Sequence, residues 1–194
     1  MTKKILFLDL DQTIISSELC DTFDYKKDKE KALKFVMHNM ENYYLIFERP
    51  NLQDFLDYIF KNFYVCVWTA ASKDYAFFII QNIILAGKPE RKINYVFFEE
   101  HCDISEKLTN RTKNLEILYK HFNIKKFKNV KNIFILDDND EVFETQPKNC
   151  IKAKPFEYND QDSHKDYFLK KLKDKLIDTK KLDTDELNNI LKNI

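Results

Sequence analysis

The sequence has a single glycine, Gly87, in 194 residues. That scarcity excludes the G-x-G-x-x-G turn and the G-x-x-x-x-G-K-[ST] loop, both of which need several glycines to bring backbone close to phosphate. Any phosphate chemistry must therefore rest on side chains, a metal and ordinary turns. A surplus of charge is lacking as well. The 32 basic side chains balance 32 acidic ones, and no global field points to nucleic acid or anionic lipid. Cys20, Cys66, Cys102 and Cys150 are scattered and form no C-x-x-C pair, which argues against a zinc framework or a dithiol site. Cys66, inside FYVCVWT, reads as core. None of Arg49, Arg91 and Arg111 follows a cysteine at the C-x5-R spacing of cysteine phosphatases. No apolar run approaches the ~20 residues of a membrane span. The opening MTKKILFLDLDQ is too short in its apolar part, and too acidic, for a signal peptide. The expectation is a soluble intracellular chain, nuclear or cytoplasmic, with no membrane partner.

What is present is a hydrophobic content of 44%, enough for one globular domain over residues 1–194. Short apolar runs end in polar residues: ILFLDLD (5–11), YVCVWTA (64–70), INYVFFEE (93–100), NIFILDD (132–138) and a weaker CIKAKPF (150–156). YYLIFERP adds a further strand, stopped by Pro50. Between them, NLQDFLDYIFKN (51–62) places Leu52, Phe55, Leu56 and Ile59 at helical spacing. Ser72 is placed to cap KDYAFFIIQNIILA, and Gly87 to end it. TKNLEILYKHF repeats the helical pattern, residues 16–42 read as helical through KKDKEKALKFVMHNM, and the tail reads as packing helices over 163–178 and 184–193. Strands alternating with helices predict an α/β fold, a mostly parallel sheet flanked by helices. Ligands of such sheets bind beyond the carboxyl ends of the strands. Asp9, Asp11, Thr69, Asp137 and Asp138 all close an apolar run, so strand direction gathers them on one edge.

Carboxylates placed there repel one another and resist burial unless something offsets them. Mg²⁺, a hard cation that takes oxygen ligands, would do so. Asp9 could then act as a carboxylate nucleophile, with Asp11 protonating the leaving oxygen and later activating water. An anionic phosphate also needs donors and positive charge around its oxygens, for which Thr69 and a lysine are candidates. Thr13 closes the D-x-D-x-T turn and orients it.

These residues resemble the FCP/SCP-type, NLI-interacting-factor-like protein phosphatases of the haloacid-dehalogenase superfamily. The resemblance is carried by LDLDQT, FERPNLQDFLDYIFKNFYVCVWTAASKDYA, FFEEHC, RTKNLEIL and IFILDDNDEVFETQPKNCIKAKPF, in family order over about 5–156. It implies a Rossmann-like core with no large cap and a Mg²⁺-dependent phosphatase for phosphoserine or phosphothreonine in a protein, the RNA polymerase II C-terminal domain among the substrates. By the same resemblance Asp9 is the nucleophile and Asp11 the acid/base whose main-chain carbonyl also meets the metal. Thr69 and Lys113 bind the phosphoryl group, Lys113 ahead of Lys107 and Lys73. Asp138 is the side-chain metal ligand, with Asp137 beside it. Rival readings are a phosphatase for a small molecule or a nucleic-acid terminal phosphate, and a non-catalytic receptor or phosphoprotein-binding module.

Some positions depart from the family. Gln12 replaces a common glutamate, and Ala71 stands where many relatives have serine. Glu99 stands where relatives commonly carry arginine, and an acid there should repel an anionic phosphopeptide. Two other features carry less weight. His101 and Cys102 are expected to diverge on a strand end. KHFNIKKFKNVK reads as a solvated helix end with its phenylalanines in the core, because the neutral chain argues against nucleic acid.

Overall fold

A computed structural model describes residues 3–178 and 183–192. In chain order the elements are β1 (Ile5–Leu8), β2 (Ile15–Leu19), α1 (Lys29–Ala32), β3 (Met37–Met40), β4 (Tyr44–Glu48), α2 (Leu52–Asn62), β5 (Tyr64–Trp68) and α3 (Lys73–Ile79). There follow β6 (Val96–Phe97), α4 (Glu99–Thr109), α5 (Ile117–Lys120), β7 (Ile133–Asp137), α6 (Asp140–Thr145), β8 (Cys150–Lys152), α7 (Phe168–Asp178) and α8 (Thr184–Leu191).

Five parallel strands form the central sheet in the order β6-β5-β1-β7-β8. Side chains alternate across a strand, and β1 is buried on both faces, as an internal parallel strand must be. Leu6 and Leu8 join Val65, Val67 and Leu136 under α2, α3, α7 and α8. Ile5 and Phe7 join Cys66, Trp68 and Ile135 on the other face, against α4, α5 and α6. The expected mostly parallel α/β sheet is the observed one, and Cys66 is core.

Local signals explain several ends. The Ser72 hydroxyl accepts the Tyr75 N–H at 3.4 Å and caps α3, a bond type that contributes about 1 kcal/mol. The helix continues through a π-helical turn, Ile80–Ile84, and Gly87 then turns the chain at φ +65°. With glycine otherwise absent, Asn42, Asn51, Asn110 and Asn123 fill other left-handed positions, which asparagine tolerates better than most residues.

The structure corrects several expectations. Residues 16–42 are not mainly helical: β2 and β3 flank β4 in an antiparallel sheet of order β2-β4-β3. Lysine-rich helix formers yield there to pairing with β4 and to the stacking of Phe47 on Tyr158, with ring centroids 3.9 Å apart. The strand in INYVFFEE is only Val96–Phe97, because α4 begins at Glu99. His101 and Cys102 therefore lie on a helix rather than a strand end. TKNLEILYKHF is α-helical only over Ile117–Lys120, since Lys113 takes φ 45° and breaks the run. In the tail, residues 163–165 form a 3-10 turn ahead of α7; residue 193 lies outside the described residues.

Candidate active site

Parallel pairing aligns Leu8 of β1 with Leu136 of β7, so the chain leaves both strands at one level of the sheet. The Asp9 N–H bonds the Leu136 carbonyl at 3.0 Å, which sets Asp9 beside Asp137. Strand β1 ends before either acid of the first motif. Its residues then turn tightly, with the Ile14 N–H on the Leu10 carbonyl at 2.9 Å. The Thr13 hydroxyl lies 3.2 Å from Asp9 Oδ2 and 3.0 Å from Asp138 Oδ1, and it accepts the Asp138 N–H at 3.1 Å. Thr13 thus ties the two acidic motifs together and orients the turn.

Lys113 enters from the loop between α4 and α5. Its Nζ donates to Asp9 Oδ1 at 2.6 Å and to Asp137 Oδ2 at 2.8 Å. The loop is pinned on both sides of the lysine. Ser105 accepts the Asn114 N–H at 3.0 Å, and Gln146 Nε2 donates to the Lys113 carbonyl at 2.9 Å. Lys113 is buried and left-handed, a costly conformation for a long side chain and a common one at functional sites.

Electrostatics follow from burial. Desolvation pushes Asp9 up to about 6 against the pull of Lys113. Asp137 also rises to about 6, through burial and then the Asp9 charge. Burial opposes charge on Lys113, but the two carboxylates outweigh it and raise its pKa. The ammonium stays charged.

Asp11 faces elsewhere. Its Oδ1 accepts the Tyr75 hydroxyl at 2.5 Å and the Ser17 hydroxyl at 3.3 Å, and burial raises its pKa. Thr69 follows β5, next to β1 in the sheet, and its Oγ1 accepts the Ala71 N–H at 3.1 Å. The Glu99 N–H bonds the Ala71 carbonyl at 3.0 Å, placing the start of α4 against that same turn. The sequence-derived candidates thus share the carboxyl edge of the sheet, with Lys113 bonded to Asp9 and Asp137, Asp138 joined to Asp9 through Thr13, and Asp11 set apart. His101 Nδ1 accepts the Phe98 N–H at 3.2 Å, a capping contact.

Sequence reasoning assigned no role to Tyr75, Ser17 or Arg49. The Arg49 guanidinium is buried, donating to Asp166 at 3.0 and 2.9 Å and to the Thr13 and Lys154 carbonyls at 2.9 Å each. It therefore fastens the D-x-D-x-T turn to the carboxyl-terminal third. An arginine beside Pro50, in a chain with three arginines, was the available signal.

Asp9, Asp137 and Asp138 each offer a carboxylate oxygen within 4.8 Å of the others. One ammonium cannot neutralise these acids together with Asp11, and the donors are all hard oxygens. That donor set fits Mg²⁺. No helix among the described residues is long and apolar enough to cross a membrane.

Comparison with known proteins shows the family and the fold. The family model described as NLI interacting factor-like phosphatase matches residues 4–186. The CTD phosphatase-like protein 355R of Invertebrate iridescent virus 6 is 49% identical over 177 residues, covering 89% of this chain and 97% of that protein. Its namesake in Invertebrate iridescent virus 3 is 44% identical over 176 residues, covering 88% and 93%. Among solved structures, fission yeast RNA polymerase II CTD phosphatase Fcp1, R271A variant bound to beryllium fluoride, superposes with a TM-score of 0.58 at 18% identity. That match covers 98% of this chain but 62% of the Fcp1 chain, so this chain spans less than two thirds of that structure. With a family match across nearly its full length and the fold to go with it, the chain belongs to the NLI interacting factor-like phosphatases, an FCP/SCP-type family of the haloacid-dehalogenase superfamily.

Proposed function

We propose that the chain is a Mg²⁺-dependent phosphatase that hydrolyses phosphoserine or phosphothreonine in a protein through an aspartyl-phosphate on Asp9. The observation that carries this reading is Lys113 bonded to both Asp9 and Asp137, with Asp11 held apart on its own partners. A charged lysine against the nucleophile would hold the equatorial oxygens of an incoming phosphoryl group. The separation of the two motif acids suits two different roles.

In the first half-reaction an Asp9 oxygen forms a bond to phosphorus. The phosphorus–oxygen bond to the side chain breaks, and its electron pair stays on the leaving oxygen. Asp11 gives that oxygen a proton, releasing a serine or threonine hydroxyl. In the second, Asp11 takes a proton from water as the water oxygen bonds to phosphorus, freeing Asp9 and inorganic phosphate. Asp9, Asp138 and the Asp11 main-chain carbonyl, with Asp137 adjacent, would hold Mg²⁺, which when bound supplies positive charge to the phosphoryl oxygens. Thr69 adds a hydroxyl on the same edge.

Within phosphoproteins, the names of the relatives favour the polymerase tail. Glu99, the first residue of α4 and bonded through its N–H to the Ala71 carbonyl, opposes an acidic peptide there. The test is a Mg²⁺ assay over a phosphopeptide library, with nucleotides and 3′-phosphorylated oligonucleotides alongside. Preferential release of phosphate from phosphoserine or phosphothreonine peptides is expected. Preference for a nucleotide or an oligonucleotide end would overturn the protein-substrate assignment.

A further inference from the structure

Asp11 stands apart from Lys113, and the side chains that reach its carboxylate are uncharged. Both hydroxyls that reach it, Tyr75 at 2.5 Å and Ser17 at 3.3 Å, land on Oδ1. Oδ2 receives no hydrogen bond from another described residue. The Asp11 side chain is itself only partly buried. The two oxygens of one carboxylate therefore differ, Oδ1 being held by two side chains and Oδ2 by none among the described residues.

The fixing group is itself held. Tyr75 sits in the first turn of α3, its N–H on the Ser72 cap at 3.4 Å. Its ring is buried in the larger core and packs edge-on against Tyr44, centroids 5.3 Å apart. Ser17 comes from β2 of the antiparallel sheet, so two separate layers converge on one oxygen. For packing alone a phenylalanine would serve, with no polar group to satisfy. A buried tyrosine hydroxyl needs a partner, and here the partner is the acid/base.

We propose that Tyr75 is the positioning residue of the reaction, holding Asp11 Oδ1 so that Oδ2 alone carries the proton to the leaving oxygen and back from water. This rests on the phosphatase reading above. The chemistry suits both halves of the cycle. When Oδ2 is protonated, Oδ1 is the carbonyl oxygen of a carboxylic acid and still accepts from tyrosine. When Oδ2 is bare, Oδ1 belongs to a carboxylate and accepts more strongly. The tyrosine bond need not break as the proton moves, so the carboxyl group keeps one orientation through the cycle.

The test is rapid-quench measurement of phosphoenzyme formation by Tyr75→Phe, Ser17→Ala and wild type. The substrates are a phosphoserine peptide and 2,4-dinitrophenyl phosphate, whose leaving group departs without a proton. Tyr75→Phe should slow transfer from the peptide at least tenfold and from the aryl ester less than threefold, with similar KM on each. Ser17→Ala, lacking the longer bond, should lose less in the same direction. It also serves if Tyr75→Phe does not fold. Equal losses on both substrates would mean that the hydroxyls only support the fold, overturning the positioning role and leaving the phosphatase reading intact. Wild type inactive on both esters would overturn the phosphatase reading, and the positioning role with it.

Discussion

Lys113 Nζ lies 2.6 Å from Asp9 Oδ1, an ion pair between residues 104 apart in the chain. The lysine holds this place from a left-handed backbone, φ 45°. Lys113→Ala should therefore do two kinds of harm. It removes the cation proposed to anchor the phosphate, and it leaves Asp9 and Asp137 buried without their counter-ion, a loss of about 3–5 kcal/mol. Lys113→Gly should be as inactive but more stable than the alanine variant by about 1 kcal/mol, because glycine relieves the backbone strain. Urea unfolding of the two variants measures the difference, and equal midpoints would show that the strain is not stored there.

Asp9→Asn retains the shape of the side chain and leaves Lys113 paired with Asp137. The variant should fold, with circular dichroism like that of the wild type, yet show no detectable turnover. Beryllium fluoride should form its adduct on Asp9 of the wild type in a crystal structure. An adduct on Asp11, or phosphoserine turnover by Asp9→Asn, would falsify the nucleophile assignment.

Metal binding should follow the acids. Burial raises both Asp9 and Asp137 to about 6, and a carboxylate must lose its proton to ligate a cation. Mg²⁺ affinity, read by calorimetry, should accordingly fall as pH drops through about 6, with proton release on binding. EDTA should abolish phosphatase activity, and Asp138→Ala should weaken the Mg²⁺ titration. An unchanged titration would remove Asp138 from the ligand set.

Glu99 opens α4 beside the Ala71 turn, and the proposal that it opposes an acidic peptide can be tested there. Glu99→Arg should raise kcat/KM on a polymerase-tail phosphopeptide several-fold, with a smaller gain on a small aryl phosphate. Similar gains on both would mean that residue 99 acts on the phosphate rather than on the peptide.

Away from the site, Asp57 bonds the buried Arg91 guanidinium at 2.7 Å and Lys88 at 2.9 Å, and these cations hold its carboxyl below the usual range. A carboxylate with a depressed folded pKa contributes stability above its unfolded value, about 3.9, and loses it as pH falls through the folded one. Asp57→Asn should flatten the acid limb of Tm against pH below about pH 4 and lower Tm at neutrality. An acid limb matching that of the wild type would place the acid sensitivity elsewhere.

The edge of the site was legible because parallel strands deliver their ends to one place, so Asp9, Thr69 and Asp137 could be grouped from apolar runs alone. Lys113 was not legible in that way: nothing local to TKNLEIL says that it turns back to β1, and its identification leaned on resemblance. Tyr75 and Ser17 were invisible for the same reason. Each looks like a helix or strand residue until tertiary packing brings its hydroxyl to Asp11. Residues 16–42 misled because propensity there favours helix, whereas Met37–Met40 gains its bonds from Tyr44–Glu48, a partner that a local pattern does not reveal.

Arg49 carries a consequence for the order in which the molecule is made. Its guanidinium holds the Thr13 carbonyl of the first motif and the carboxylate of Asp166, 117 residues downstream of the arginine. During synthesis the D-x-D-x-T turn emerges early, but the anchor that steadies it is complete only once Asp166 has left the ribosome. Until then the guanidinium has no carboxylate to meet, and burying it unpaired is strongly unfavourable. The D-x-D-x-T turn therefore gains this anchor only when the last third of the chain is present to supply Asp166.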